Sequence, residues 1–347
     1  MIMNRRGFLR ITSAGTLALI PPSPAYAQAK KLGKIEYGLA SLDPIYSAAY
    51  IAHKKGLFAE EGLEVEVLNS QSGPRSKQML AAGQLFVTTT GCNDAIALTL
   101  AGKASTLVLG FDNRVAFANI LVHKDLYDSG KVRKVADLAG QTIAVTQPQA
   151  ATWLIAVYIL ERAGVKDKVE IKGLGDFATM MGAVKTKQVP ATIATVSMVD
   201  AAKEEGWGRL LFDVSDAKGW DSVFGGELPG VGAYVLAESV KKRPEVIQAF
   251  ANAMVKATDV LKTTSPEAIA DLVYEPFLSG FPKASVVRGI NVYKQTWNFT
   301  NLISKDGYDR LIGIRAGRQA PEADLKKTTP YETMVDMSFV KKARNLG

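Results

Sequence analysis

The sequence predicts an α/β protein of two similar lobes, and three observations predict it. Apolar strand patterns alternate with helical patterns almost without a break from Lys34 onward. Two longer apolar stretches, Val115–Val122 and Val231–Ala237, interrupt that alternation. Two distant segments, "AAGQLFVTTTG" and "KTKQVPATIAT", echo each other: each runs from a helix end through a glutamine to a strand ending in threonine. Repeating strand–helix units of this size indicate a parallel sheet covered by helices. The echo indicates that the pattern occurs twice.

In order, "KIEYGLA" alternates with Ile35, Tyr37 and Leu39 on one face, the period of a half-buried strand. "YSAAYIAHKKGLFAEEG" is a helix, broken at Gly56 and ended by Gly62. "LEVEVLN", "LFVTTT" and "STLVLGF" are further strands, separated by the helices "SKQMLAAG" and "NDAIALTLAG". The stretch from Val115 to Asp125 is expected as a long strand leading into the second lobe. There "TIAVTQ", "VEIKGLG", "ATIATV" and "RLLFDV" alternate with "AATWLIAVYILERAG", "FATMMGAVKTKQ" and "MVDAAKEEG". "GVGAYVLAES" is the second long strand. After it "RPEVIQAFANAMVKATDVLK" and "SPEAIADLVY" open a run of amphipathic helices, with proline near their starts.

Composition narrows the function classes. A chain of 347 residues, 47% hydrophobic and 22% charged, suffices for one large or two medium globular domains. The formal charge is +8; Arg5, Arg6 and Arg10 supply three of those charges within an acid-free first 27 residues, so the remainder carries +5. No stretch of that remainder has the dense basic face of a nucleic-acid binder. Cys92 is the only cysteine, which excludes an internal disulfide and a cysteine metal cage. His53 and His123 are far apart, and both read as lone surface residues rather than metal ligands or catalysts. No hydrolytic triad pattern and no G-x-x-x-x-G-K-[ST] phosphate loop occurs. Neither a cofactor nor a metal is expected.

The segment 1–27 reads as an address. "NRRGFLR" resembles the twin-arginine translocation signal, opening with Asn4, and an apolar run from Ile11 to Ile20 follows it. That run is too short to span a bilayer, which takes roughly 20 apolar residues. Pro21, Pro22 and Pro24 break it before "AYA" at Ala25–Ala27, an A-x-A cleavage site. The expectation is export, cleavage after Ala27, and a soluble product in the periplasm.

Taken together, "AAYIAHKKGLFAEEGLEVEVLNSQSG", "AAGQLFVTTTGCNDAIALTLAGK", "VRKVADLAGQTIAVTQPQAATWLIAVYILERAG" and "KKRPEVIQAFANAMVKATDVLKTTSPEAIADL" resemble the periplasmic solute-binding proteins of ABC importers, in the nitrate/sulfonate/taurine-type family. The resemblance implies a type II periplasmic-binding-protein fold, two α/β lobes joined by two crossing strands. It implies lobe 1 at 28–117 and 233–347, with the C-terminal helices, and lobe 2 at 118–232. It also implies a small-molecule ligand, a cognate permease in the cytoplasmic membrane and a monomer, with no nucleic-acid partner. Phe86 and Pro190 stand where that family commonly has aspartate, and Ser197 where it has proline. These departures leave the identity of the ligand open.

In open α/β sheets ligands sit beyond the carboxyl ends of the strands, where free N–H groups at helix starts favour an acid. The candidate contacts are therefore Ser41, Asp43 and Tyr46 after the first strand, and Ser70, Ser72, Gly73 and Arg75 after the second. Thr90, Gly91 and Asn93 follow the third. Gln149, Ala150 and Thr152 open the second lobe's apolar helix, and Asp176, Thr195 and Ser197 complete the set. In "SQSGPR" two placements of Arg75 are open: a fork onto a carboxylate or sulfonate, or a surface side chain on the first helical turn. Tyr46, Trp153, Phe177 and Trp220 are either cleft walls or core. Asp43, Asp94 and Asp176 either orient an amine or hydroxyl or cap turns. The glycines of "GGELPGVGAY" suit a hinge or a plain turn. The function implied is capture of a small anionic organic solute for an importer. The alternatives are a receptor for a membrane sensor, and an enzyme related to thiamine-pyrimidine synthesis, whose cysteine-rich motif one cysteine cannot supply.

Overall fold

The computed structural model describes residues 31–346, so the expected signal segment, twin-arginine motif and cleavage site at 1–27 lie outside the described residues. Ten strands occur in chain order: β1 (Gly33–Leu39), β2 (Leu63–Asn69), β3 (Val87–Gly91), β4 (Ser105–Gly110), β5 (Asn119–His123), β6 (Thr142–Val145), β7 (Glu170–Gly173), β8 (Ala191–Ala194), β9 (Gly208–Phe212) and β10 (Val231–Leu236). They form two sheets, ordered β2-β1-β3-β10-β4 and β7-β6-β8-β5-β9. The two orders are the same arrangement used twice.

The sheets are mixed rather than wholly parallel. β10 runs antiparallel to β3 and β4, and β5 runs antiparallel to β8 and β9. Each odd strand is the first the chain makes after changing sheets, so it enters from the opposite end. The crossings themselves are irregular, at residues 111–118 and 225–230. The apolar run at 115–118 is buried, yet it turns instead of extending. The Asp112 carboxylate accepts from Ala116 N at 3.0 Å, and Ala118 N donates to Val115 O at 2.9 Å. Strand begins only at Asn119.

Burial follows the pattern of each strand. In β1, Ile35, Tyr37 and Leu39 are fully buried while Lys34 is exposed, as a period of two demands. β3 and β4 are buried along their whole length, which marks strands covered on both faces. The surface reading of His123 fails: it ends β5, which is likewise buried along its length, and is itself buried. The helix Pro244–Thr263 lies against the first sheet: Phe250 meets Tyr37 edge-on at 5.0 Å and stacks on Phe58 at 5.8 Å. Burying one such ring contributes roughly 2–3 kcal/mol.

The consequence for function is positional. β1, β2, β6, β7 and β8 each end at a short turn leading into helix, and β3 runs directly into one. The six following segments start at Pro44, Gly73, Cys92, Ala151, Phe177 and Val196. Residues from all six starts or the turns before them line the cleft between the sheets.

Candidate binding cleft

The cleft has two compartments. The outer one is a cavity of about 550 Å³ lined by Ser41, Leu42, Asp43, Asn69 and Gln71 from the first sheet's loops. Asp176, Phe177, Thr179, Met181, Thr195 and Met198 line it from the second, with Phe281 from the C-terminal helices. That volume lies in the range for small-molecule sites. The inner compartment is a recess of about 30 Å³ among Tyr46, Gly73, Gly91, Asp94, Phe117, Thr146 and Ala150–Thr152. Phe177 lines both.

The two sides meet closely at the recess. A Cβ on Gly91 would stand 2.7 Å from the Ala151 Cβ, so the absence of a side chain lets the helix Ala151–Arg162 approach β3. Glycine at 73 has a similar reason: a Cβ there would fall 2.4 Å from Asp94 Oδ2. Asp94 is 1% exposed. Its Oδ2 accepts from Thr90 Oγ1 at 2.9 Å, and its Oδ1 has no hydrogen-bond partner. Burial raises the Asp94 carboxyl above its ordinary range, opposed by the charge of Lys77, the Thr90 hydroxyl and the charge of Arg315.

Arg315 was not singled out in the sequence, because it closes the distant helix Lys305–Arg315. It is buried, and its Nη1 donates to the Asn93 carbonyl at 3.0 Å and to Asn93 Oδ1. Burial pushes the guanidinium down to about 10, against the attraction of Asp94 and Tyr308. It remains charged at neutral pH. Among the described residues neither it nor Lys77 forms an ion pair with Asp94.

On the outer compartment, Asp43 Oδ1 accepts from Ile45 N at 3.0 Å and from the Tyr293 hydroxyl at 2.6 Å. Tyr293 OH in turn accepts from Val196 N at 3.2 Å, tying the first sheet's turn to a second-sheet helix. Burial raises the Asp43 carboxyl, and these two donors oppose the rise. Asp176 caps the Phe177 helix through Thr179 N at 2.8 Å.

The sequence-predicted residues divide accordingly. Tyr46, Gly73, Gly91, Ala150 and Thr152 line the recess, and Ser41, Asp43, Asp176 and Thr195 line the outer cavity. Thr90 and Asn93 lie one step behind, holding Asp94 and Arg315. Ser70 and Ser197 are buried, each with an unpartnered hydroxyl, and line neither compartment. Ser72 caps the Gly73 helix through Arg75 N at 3.4 Å. Gln149 is exposed, and its carbonyl accepts from Gln319 Nε2 at 2.7 Å. Arg75 is exposed, its Nη1 donates to Gln71 Oε1, and it lines neither compartment. Of the aromatics, Tyr46 and Phe177 are walls. Trp220 is core, stacked on Phe224 at 4.2 Å with its Nε1 donating to Gly226 O. Phe117, Thr146 and Phe281 carry no local signal in the sequence.

Residues 29–274 match the NMT1-like family, and the chain belongs to it. A binding protein of Brucella abortus (strain 2308) is 26% identical over 272 residues, 78% of each chain. The periplasmic nitrate-binding protein NrtA from Synechocystis PCC 6803 superposes with a TM-score of 0.75 at 13% identity, over 91% of this chain and 89% of that one. The alkanesulfonate-binding protein SsuA from Xanthomonas axonopodis pv. citri, bound to MOPS, gives 0.68 at 18% identity, over 91% and 99%. The fold is therefore that of periplasmic binding proteins of the nitrate/sulfonate/taurine type. The same fold extends to the desulfurization enzyme DSZB, with a TM-score of 0.61 at 15% identity over 90% and 99%.

Proposed function

We propose that the chain is the extracytoplasmic solute-binding component of an ABC importer, holding a small organic solute between its two lobes and delivering it to a membrane permease. The observation that carries this reading is the cavity of about 550 Å³ walled by both sheets. A site shared between two lobes couples occupancy to their closure, the property a delivery protein needs. We take the lobes as 28–117 with 233–347, and 118–232. Export of the product to the periplasm is the part assigned to residues 1–27.

The hinge has the means to move. Both crossings are irregular, and Gly225 and Gly226 sit at φ of 73° and 129°. An enzymatic reading gains little from the cleft. Cys92 is buried, and burial pushes its thiol well above the ordinary value, away from nucleophilic use. The helix starts around the recess, of which the one at Ala150 has no side-chain cap, favour an anionic solute, and the buried Asp94 that lines the same recess opposes one. Among the described residues no lysine, arginine or histidine lines either compartment.

A thermal-shift screen of the chain against carboxylates, sulfonates, nitrate, aromatic acids and amines tests the reading. A solute that binds the folded state raises the transition by mass action. Solution scattering with that solute should then show a smaller radius of gyration. If no class raises the transition, or a bound solute leaves the radius unchanged, the importer reading fails.

A further inference from the structure

Among the groups lining the recess, Asp94 stands apart. A buried carboxylate oxygen without a partner is costly, and proteins ordinarily satisfy or neutralise such groups. The recess offers Asp94 no such relief. Its other lining groups are small, apolar or aromatic, apart from the hydroxyls of Tyr46, Thr146 and Thr152. Thr152 Oγ1 is already paired with Thr146 Oγ1 at 2.7 Å and accepts from Thr146 N at 3.0 Å. The nearby buried cation, Arg315, gives its Nη1 to Asn93, keeps its Nε unpartnered, and forms no ion pair with Asp94 among the described residues. The other charges lining the cleft, Asp43 and Asp176, are also acidic.

We infer that Asp94 is the recognition group for an N–H donor on the solute, a primary ammonium or an amino group carried on an otherwise small organic molecule. The inference rests on the binding-protein reading and deepens it. Thr90 holds Oδ2, fixing the carboxylate and leaving Oδ1 to accept. Gly73 leaves the space that the carboxylate needs. The recess, at about 30 Å³, admits a group of roughly one or two water volumes, and an ammonium is that size. The remainder of the molecule has the outer cavity, with Phe177 as the wall common to both. A carboxylate or sulfonate would instead face Asp94 at close range with no cation lining the recess itself, a repulsion that low dielectric strengthens. Discrimination of this kind is strong because rejection leaves a buried polar group unpaired.

Matched solutes decide the matter. Taurine against isethionate, 4-aminobutyrate against 4-hydroxybutyrate and benzylamine against benzyl alcohol differ by an amine in place of a hydroxyl. Affinities are measured calorimetrically on the chain and on Asp94→Asn. In the unaltered chain the amine of at least one pair should bind about tenfold or more tighter than its hydroxyl partner. In Asp94→Asn that gap should shrink to about threefold or less. Hydroxyl members or nitrate binding as well as the amines would overturn the inference while leaving the binding-protein reading intact. A gap that survives in Asp94→Asn would also overturn it. Absence of binding by every probe counts against both. If Asp94→Asn does not fold, the matched pairs on the unaltered chain decide alone.

Discussion

Two fully buried aspartates, one between the two crossings and one at the recess, show how the same side chain serves two ends. Asp112 lies between the crossings, and each of its oxygens is engaged. Oδ1 accepts from Gly230 N at 2.7 Å and Val231 N at 2.8 Å, and Oδ2 accepts from Ala116 N at 3.0 Å. Gly230 is glycine because a Cβ there would stand 2.5 Å from Val115 Cα. One carboxylate thus fastens both interlobe connections together, with the backbone as its partner. Asp94 is equally buried but keeps one oxygen unpartnered beside a small recess. A satisfied buried carboxylate is architecture. An unsatisfied one, held in place by a single hydroxyl, stores an interaction for something not in the chain.

The comparison breaks first at Asp112. Replacing it by alanine leaves three buried N–H groups without an acceptor, and the expected loss is about 3–5 kcal/mol in urea unfolding. A loss under about 1 kcal/mol would mean that water replaces the carboxylate and that the hinge is not fastened by it. The same residue sets a pH dependence. Burial pushes the Asp112 carboxyl up to about 7, outweighing the Val231, Ala116 and Gly230 amides that favour its charged form. The unfolded chain ionises this group near its ordinary 3.8, so between these values the folded state holds a proton that the unfolded state has lost. The contribution is therefore fully present below about pH 4 and lost as pH rises to about 7, by up to about 4 kcal/mol in all. Measured by urea unfolding, the stability of the chain relative to the non-titrating Asp112→Asn should fall by about 2–3 kcal/mol between pH 5 and pH 8. A difference that does not move with pH would show the carboxylate ionised throughout.

Much of this architecture was legible in the chain, and the reasons are local. Alternation placed Ile35, Tyr37 and Leu39 inward, because a strand has only two faces. Strand ends located the helix starts, so Ser41, Asp43, Gly73, Gly91, Ala150 and Thr152 stood out before any distance was known. What failed to show was direction. Arg75 carries the charge that an acid wants, but Gln71 one turn earlier takes its guanidinium at the surface. The run at 115–118 is apolar because it is enclosed between the sheets, a tertiary cause that looks like strand periodicity. Phe281 and Arg315 reach the site from the C-terminal helices, and no local pattern encodes that return. Asp94 was visible as a residue and ambiguous in role, since an acid in a first helical turn is also ordinary dipole compensation. Only its unpartnered oxygen separates the two.

Gly73 sharpens the contrast from the recess side. Gly73→Ala places a methyl group 2.4 Å from Asp94 Oδ2, so the carboxylate must turn and lose Thr90. The expected cost is about 1–3 kcal/mol, the range for overpacking. Gly182→Ala is the control. It lies within the helix Phe177–Lys185, a Cβ there meets nothing within 4 Å, and a gain of about 0.4–1 kcal/mol is expected. Equal, small effects at both glycines would show that Asp94 moves freely, and its claim to a fixed geometry would fall.

The smallest effect is expected at Arg75, the residue whose charge most invited a binding role. It is exposed, its side-chain partner is the equally exposed Gln71, and it sits in the first turn of the Gly73 helix, where a positive charge opposes the dipole. Arg75→Ala should therefore change stability by less than about 0.5 kcal/mol, with a slight gain as readily as a loss. Affinity for whichever solute raises the thermal transition should change by less than about twofold, because the side chain reaches neither compartment. Calorimetry on the two proteins reads both quantities. Weakening by about tenfold or more would mean that closure on the solute swings the guanidinium off Gln71 and into the cleft. The solute would then carry an acid for Arg75 as well as a donor for Asp94, and the charge of the cleft would have to be counted in its closed form.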